Sequence, residues 1–202
     1  MTKENVNALC IVAHPDDETI WMGGTILQNN QWKWTVLSLC RKDDSDRAPK
    51  FKKVCEIYRA KGIISDLDDE SLNPMPVEKI AEKIKLNLPN KEYNYIFTHG
   101  ENGEYGHIRH KETHKAVEWM TKNNLLKCKK LFYFDYIDGD KEASNNRGVK
   151  IPVADSEADW IVSLNSKTLK QKKNIVEAIH GFPKKGFEVM ACGKKEGFVL
   201  AK

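Results

Sequence analysis

The sequence predicts an α/β fold in which helices cover both faces of a largely parallel sheet. Short apolar runs alternate along the chain with segments of helical spacing. Several runs are apolar at consecutive positions, the pattern of strands buried on both faces. The length of 202 residues suits one domain, residues 1–202, with a substantial core; no repeat, low-complexity tract or linker divides it.

Taken in order, "ALCIVA" (8–13) reads as the first strand and "TIWMGGTILQNN" (19–30) as the helix that follows. "WTVLSL" (34–39) is the second strand, and "FKKVCEIYRAKG" (51–62) and "VEKIAEKIKLNL" (77–88) have helical spacing. The strand "YNYIFTH" (93–99) precedes the helix "RHKETHKAVEWMTKN" (109–123). "KLFYFDYI" (130–137) and "DWIVSL" (159–164) complete the strands; "SKTLKQKKNIVEAIHG" (166–181) is a last helix, ended by Gly181 and Pro183. The polar segment 138–158 is expected to be a surface loop able to flank a site.

Composition excludes several classes. The formal charge of +4 is spread along the chain, with only short basic clusters such as 127–130 and 170–173, too sparse for a nucleic-acid footprint. Five cysteines at 10, 40, 55, 128 and 192 form no CxxC pair, and Cys10 and Cys40 sit in apolar runs as small core residues. A reducing compartment fits that usage. The N-terminus "MTKENVNALC" is polar, unlike a signal peptide, and no segment approaches the roughly 20 apolar residues of a membrane helix. A soluble cytoplasmic protein is expected.

The first strand ends abruptly in His14, Pro15, Asp16, Asp17 and Glu18. Open α/β sheets bind ligands at the carboxyl ends of their strands. An acidic cluster before a helix N-terminus repels phosphate but suits a cation. His14 and Asp17, three residues apart in a turn, can share one metal ion, leaving Asp16 free for proton chemistry. Helix capping by Asp16 or Asp17 is the alternative. A second cluster, "THGENGEYGHIRHKETH" (98–114), follows another predicted strand and holds His99, His107, His110 and His114, four of the chain's six histidines. His107, His110 and His114 have spacings that let all three leave one side of a helix. His14, Asp17 and one histidine of this group would make a catalytic zinc arrangement with its fourth position open for water. Such an ion polarises a carbonyl and acidifies water, which suits amide hydrolysis. A non-ligating Asp16 can accept the proton, and a non-ligating histidine can donate to the oxyanion or the leaving amine.

"AHPDDE" (13–18) together with "GEYGHIRH" (103–110) resembles the LmbE-like/PIG-L family of zinc-dependent N-acetylglucosaminyl deacetylases. "KEGF" (195–198) looks like that family's terminal Glu-x-Phe pattern. The resemblance implies a Rossmann-like fold, a single deacetylase domain over 1–202, and removal of an N-acetyl group from an N-acetylglucosamine-containing small molecule or glycoconjugate. Carried over by position, His14, Asp17 and His110 would bind Zn2+, with Fe2+ or Co2+ also accepted by such ligands. Asp16 would be the general base; His107 would stabilise the oxyanion or protonate the amine, assisted by Tyr105. Arg47 falls near where relatives place a substrate-contacting arginine. His114 has no ligand role in this alignment and is either a support to the site or a surface residue. The implied partner is a small N-acetylated amino sugar, not a nucleic acid or a membrane, and a homo-oligomer is compatible with the sequence.

Two departures bear on specificity. The region "SLCRKDDSDRAPKF" (38–51) lacks the glycine-bearing turn of relatives, and the C-terminal part is compact. Without the membrane anchor of the eukaryotic glycolipid enzymes, that substrate is not expected. The competing readings are a zinc amidohydrolase of a non-sugar acyl amide and a non-catalytic sugar- or nucleotide-binding relative. The second is disfavoured because Asp16 and His107 are present and no GxGxxG loop follows the first strand; Gly23 and Gly24 lie inside the helix and read as aids to close packing.

Overall fold

The computed structural model describes residues 6–71, 73–88, 92–143 and 148–202. The chain runs β1 (Asn7–Val12), α1 (Asp17–Gln28), β2 (Lys33–Cys40), α2 (Arg47–Tyr58), β3 (Lys61–Leu67), α3 (Val77–Asn87), β4 (Glu92–Thr98) and the kinked turn α4 (Gly103–Gly106). It continues through α5 (Ile108–Lys122), β5 (Lys127–Phe134), β6 (Tyr136–Glu142), β7 (Lys150–Ala154), β8 (Trp160–Ser163), α6 (Ser166–Asn174), α7 (Phe187–Ala191) and β9 (Lys195–Leu200). A seven-stranded sheet has the order β3-β2-β1-β4-β5-β9-β8; its first five strands are parallel, and β9 is antiparallel to both neighbours. No helix of the described residues is long and apolar enough to cross a membrane.

β1 shows why its sequence is apolar at every position from Ala8 onward. Ala8, Cys10 and Val12 enter one core cluster with Trp21, Met22 and Ile26 of α1; Leu9 and Ile11 enter the other with Ile80 and Ile84 of α3 and Val117 of α5. The strand order reverses between β1 and β4, the switch point at which such sheets open a crevice for ligands. Ile11 stands opposite Thr98, so the two strands end level and the residues after them emerge side by side.

Several expectations are corrected. The run 130–137 is broken at Asp135: β5 stays in the main sheet, while Tyr136 begins β6, which pairs antiparallel with β7. Much of 138–158 is therefore a hairpin rather than a surface loop, and it reads as polar because most β6 side chains face solvent. The helix expected over 51–62 stops at Tyr58, where Arg59 takes a left-handed φ of 53° and β3 follows almost at once. β3 had no apolar run to announce it, being an edge strand with exposed Lys61 and Asp66. The helix 166–181 becomes a π-helical turn at Ile175–Ile179, and Gly181, with φ 84°, ends it as expected.

A buried carboxylate fixes α1 against the last strand. Glu196 accepts the N–H groups of Gly24 (2.8 Å) and Thr25 (2.7 Å) and the Thr25 hydroxyl (2.6 Å), and pairs with Lys172 at 2.6 Å. Gly24 permits the approach, since a Cβ there would lie 2.3 Å from Leu164 Cδ2. Lys172 and Glu196 are both inaccessible to solvent. Glu196→Ala would strand the ammonium, so a stability loss of about 3–5 kcal/mol is expected. Urea unfolding measures it; a loss under about 1 kcal/mol would contradict this account of how α1 is held.

Candidate active site

Asp16 stands at the N-cap of α1 with φ 122°, a conformation costing a non-glycine residue about 1–3 kcal/mol. Its carboxylate makes no capping hydrogen bond, so the capping alternative does not account for it. The strained peptide is held by Glu18, whose Oε2 accepts the Asp16 N–H at 3.2 Å and whose Oε1 accepts the Thr19 hydroxyl at 2.6 Å. Burial pushes the Glu18 carboxyl up to about 7.

The level ends of β1 and β4 bring three donor atoms together. His14 Nδ1 lies 3.2 Å from Asp17 Oδ2, His110 Nε2 lies 3.3 Å from His14 Nδ1, and His110 Nε2 lies 3.3 Å from Asp17 Oδ2. For bonds of 2.0–2.1 Å, the edge of a tetrahedron is about 3.3 Å, so this triangle is one face of a tetrahedral zinc site. Two neighbouring imidazoles have other contacts: His99 Nε2 accepts the N–H of Ala13 at 2.9 Å, and His107 Nδ1 accepts that of Arg109 at 3.3 Å, leaving its Nε2 for the cleft that His107 lines. Cys40, close to His14 and Asp69, is held as a thiol by burial and by Asp69. His14, Asp17 and His110 can therefore hold one divalent ion.

Each of the three side chains has a partner that aims it. Glu104 Oε2 accepts from Nδ1 of His110 (2.5 Å) and of His99 (2.8 Å), and its Oε1 accepts the Gly100 N–H (2.8 Å). Burial alone would raise this carboxyl, but His99 and His110 hold it down at about 2. Asp69 Oδ1 meets His14 Nε2 at 3.0 Å while its Oδ2 takes Arg41 at 2.6 Å. Trp21 Nε1 donates to Asp17 Oδ1 at 3.1 Å. The loop carrying Asp69 is anchored by Arg109, which is fully buried and donates to the carbonyls of Asp68 (2.8 Å) and Asn73 (2.9 Å) and to Glu112 (2.6 Å).

The remaining expected residues surround a cleft of about 170 Å³ beside the triangle. Asp16 lines it, with Oδ2 3.7 Å from Arg47 Nη1; burial and the adjacent Asp17 raise its carboxyl well above the usual range, which strengthens it as a base. His107 lines it too. Burial, then His110 and His14, push its imidazole down to about 4, and with Nδ1 accepting from Arg109 the single proton sits on Nε2. Of its two expected roles this favours hydrogen-bond donation over acid catalysis. Tyr105 and Arg47 also line the cleft. His107 caps α5 rather than sharing a helix face with His110 and His114. His114 is buried behind the site, its Nδ1 donating to the His99 carbonyl at 2.9 Å.

Sequence reasoning did not assign Asp69, Glu104, His99 or Arg109. Glu104 and His99 were inside the second cluster; Asp69 follows β3 and shares the strand-end signal of the other site residues, but the strand itself went unread.

Residues 9–121 match the PIG-L family, described as GlcNAc-PI de-N-acetylase. A mimivirus protein, Uncharacterized protein L374 of Acanthamoeba polyphaga mimivirus, is 26% identical over 149 residues, 66% of this chain; the match spans 64% of that relative's length. N,N'-diacetylchitobiose deacetylase from Pyrococcus horikoshii superposes with a TM-score of 0.69 at 15% identity, covering 98% of this chain and 84% of that one. The 4-carboxy-2-hydroxymuconate hydratase from Pseudomonas putida KT2440 superposes with a TM-score of 0.61 at 13% identity, covering 98% and 96%. At these identities the structural likenesses establish the fold.

The arrangement predicts that Asp69→Asn weakens divalent-ion binding about 10- to 100-fold in chelator competition. Arg109→Met should weaken it through the same carboxylate, so the double variant should be no worse than Asp69→Asn alone. Unchanged affinity in Asp69→Asn, or additive losses, would contradict the chain of contacts described.

Proposed function

This chain belongs to the PIG-L family of GlcNAc-PI de-N-acetylases, and from that premise we propose that it is a metal-dependent N-deacetylase of small N-acetylglucosamine-type amino sugars. The observation that carries the reading is the three-atom triangle of His14, Asp17 and His110 with a separate buried carboxylate, Asp16, in the adjoining cleft. His14, Asp17 and His110 would hold the ion, zinc by ligand type with Fe2+ or Co2+ compatible, and when bound it would supply Lewis acidity to the amide carbonyl and acidify water.

The chain's own residues supply the rest. Asp16 takes the proton of the attacking water, its raised proton affinity matching that task. His107 presents a neutral Nε2–H to the amide oxygen as negative charge develops there, and the Tyr105 hydroxyl assists it. Arg47 reaches the cleft from the start of α2 and offers a cation to polar groups of the substrate. Asp16 then passes that proton to the departing nitrogen as the carbon–nitrogen bond breaks, so the products are acetate and the free amine. Hydrolysis of a non-sugar amide would use the same residues.

Acetate release from N-acetylated amino sugars separates these readings, and removal of the ion with a chelator should abolish it while the fold survives. Asp17→Asn should lose metal, whereas Asp16→Asn should keep it and lose roughly 10²–10⁴ in kcat. His107→Ala should also keep metal and lose on the order of 10²–10³ in kcat, with a milder loss in Tyr105→Phe. Full turnover by Asp16→Asn, or equal metal loss from His107→Ala and His110→Ala, would defeat these role assignments.

A further inference from the structure

The cleft holds one carboxylate that the proposed chemistry does not use. Glu188, on α7, lines it, and Glu188 Oε2 is buried with no hydrogen-bond partner among the described residues. The other cleft carboxylates are engaged. Asp17 Oδ1 takes the Trp21 indole, Asp69 takes His14 and Arg41, and Asp16 faces Arg47. A buried acceptor without a donor is rare in folded proteins and calls for an explanation, since its lost hydration is not replaced by the chain.

The surroundings indicate what would replace it. Phe187 packs edge-on against Tyr105 at 4.8 Å between ring centroids, and both rings line the same cleft. An apolar aromatic surface beside a lone acceptor suits a molecule with a C–H face and an outward hydroxyl, which is the character of a pyranose ring. An ionised carboxylate is acceptor-only, so it repels a second acceptor such as a phosphate or carboxylate of the ligand.

We propose that Glu188 is a specificity-determining residue, forming with Phe187 and Tyr105 a subsite that accepts a hydrogen bond from a sugar hydroxyl. The subsite distinguishes an amino sugar from a plain acyl amide of the same reactivity. This inference rests on the deacetylase reading above. It assigns Glu188 to binding of the sugar, away from the metal and from proton transfer.

The test is a cycle between protein and substrate. Acetate release is measured for N-acetylglucosamine and its monodeoxy analogues with the metal-loaded wild type, Glu188→Gln and Glu188→Ala. One analogue should lose about 10- to 100-fold in kcat/KM with the wild type, the size of a hydrogen bond to a charged group, and lose nothing further with Glu188→Ala. The Glu188→Ala effect should fall on KM with kcat retained, at unchanged metal content. If every analogue loses the same factor in both proteins, or if Glu188→Ala sheds the metal, the subsite is refuted. Tighter use of a diamino sugar, its second ammonium abolishing the dependence on every hydroxyl, would refute it in favour of a cation subsite. Were the wild type to release acetate from no N-acetyl amino sugar, both this inference and the proposed function would fall; release without coupling to Glu188 removes this inference alone.

Discussion

The site depends on the buried carboxylate of Glu104. It sits on a left-handed backbone with φ 57° and is almost wholly enclosed. From there it accepts hydrogen bonds from Nδ1 of His110, from Nδ1 of His99 and from the N–H of Gly100. His99 in turn accepts the Ala13 N–H, so a single carboxylate ties the end of β1 to the end of β4 and to the start of α5. With Nδ1 of His110 donating to Glu104, the neutral imidazole keeps its lone pair on Nε2, the atom that faces His14 and Asp17. Replacing Glu104 by an apolar residue would leave two stacked imidazoles buried without their acceptor, their centroids 3.9 Å apart.

The two site loops share a second physical feature. Asp16 and Glu104, one in each, both hold positive φ without being glycine. Such strain persists only where surrounding contacts over-determine it. Glu18 does this for Asp16, and Asn102, accepting the Glu104 N–H at 3.0 Å, does so for Glu104. The outcome is that His14, Asp17 and His110 are held in place by contacts from both loops. Arg109 and Glu112 extend this order to the loop of Asp69: Arg109 grips the carbonyls of Asp68 and Asn73, and Glu112 accepts the Met75 N–H at 2.7 Å.

Much of this was legible in the sequence because it follows from local pattern. The doubly buried β1 and β4 and the helices after them are strong periodic signals, and the polar residues that end each strand stand out against them. His14, Asp16, Asp17, His107 and His110 therefore stand out as candidates. Partners that act across the fold were harder to read. Asp69 depends on β3, an edge strand whose solvent-facing residues erase the apolar run. The β6–β7 hairpin looked like a loop because its hydrogen bonds, not its side chains, make it a sheet. Glu188 lies on the five-residue α7, which reaches the cleft only through the packing of its Phe187 against Tyr105.

Fold alone does not decide the chemistry, since a deacetylase and a hydratase both superpose on this chain. What decides it is which atoms meet at the switch point, and the central claim is that His14 Nδ1, Asp17 Oδ2 and His110 Nε2 form one tetrahedral face for one ion. Anomalous diffraction at the zinc edge from crystals grown with one equivalent of zinc tests this most directly. The account predicts a single peak about 2.0–2.1 Å from those three atoms, the distance of zinc to nitrogen and oxygen ligands. A peak bound by Cys40 or His99, or one from which Asp17 is absent, would contradict it.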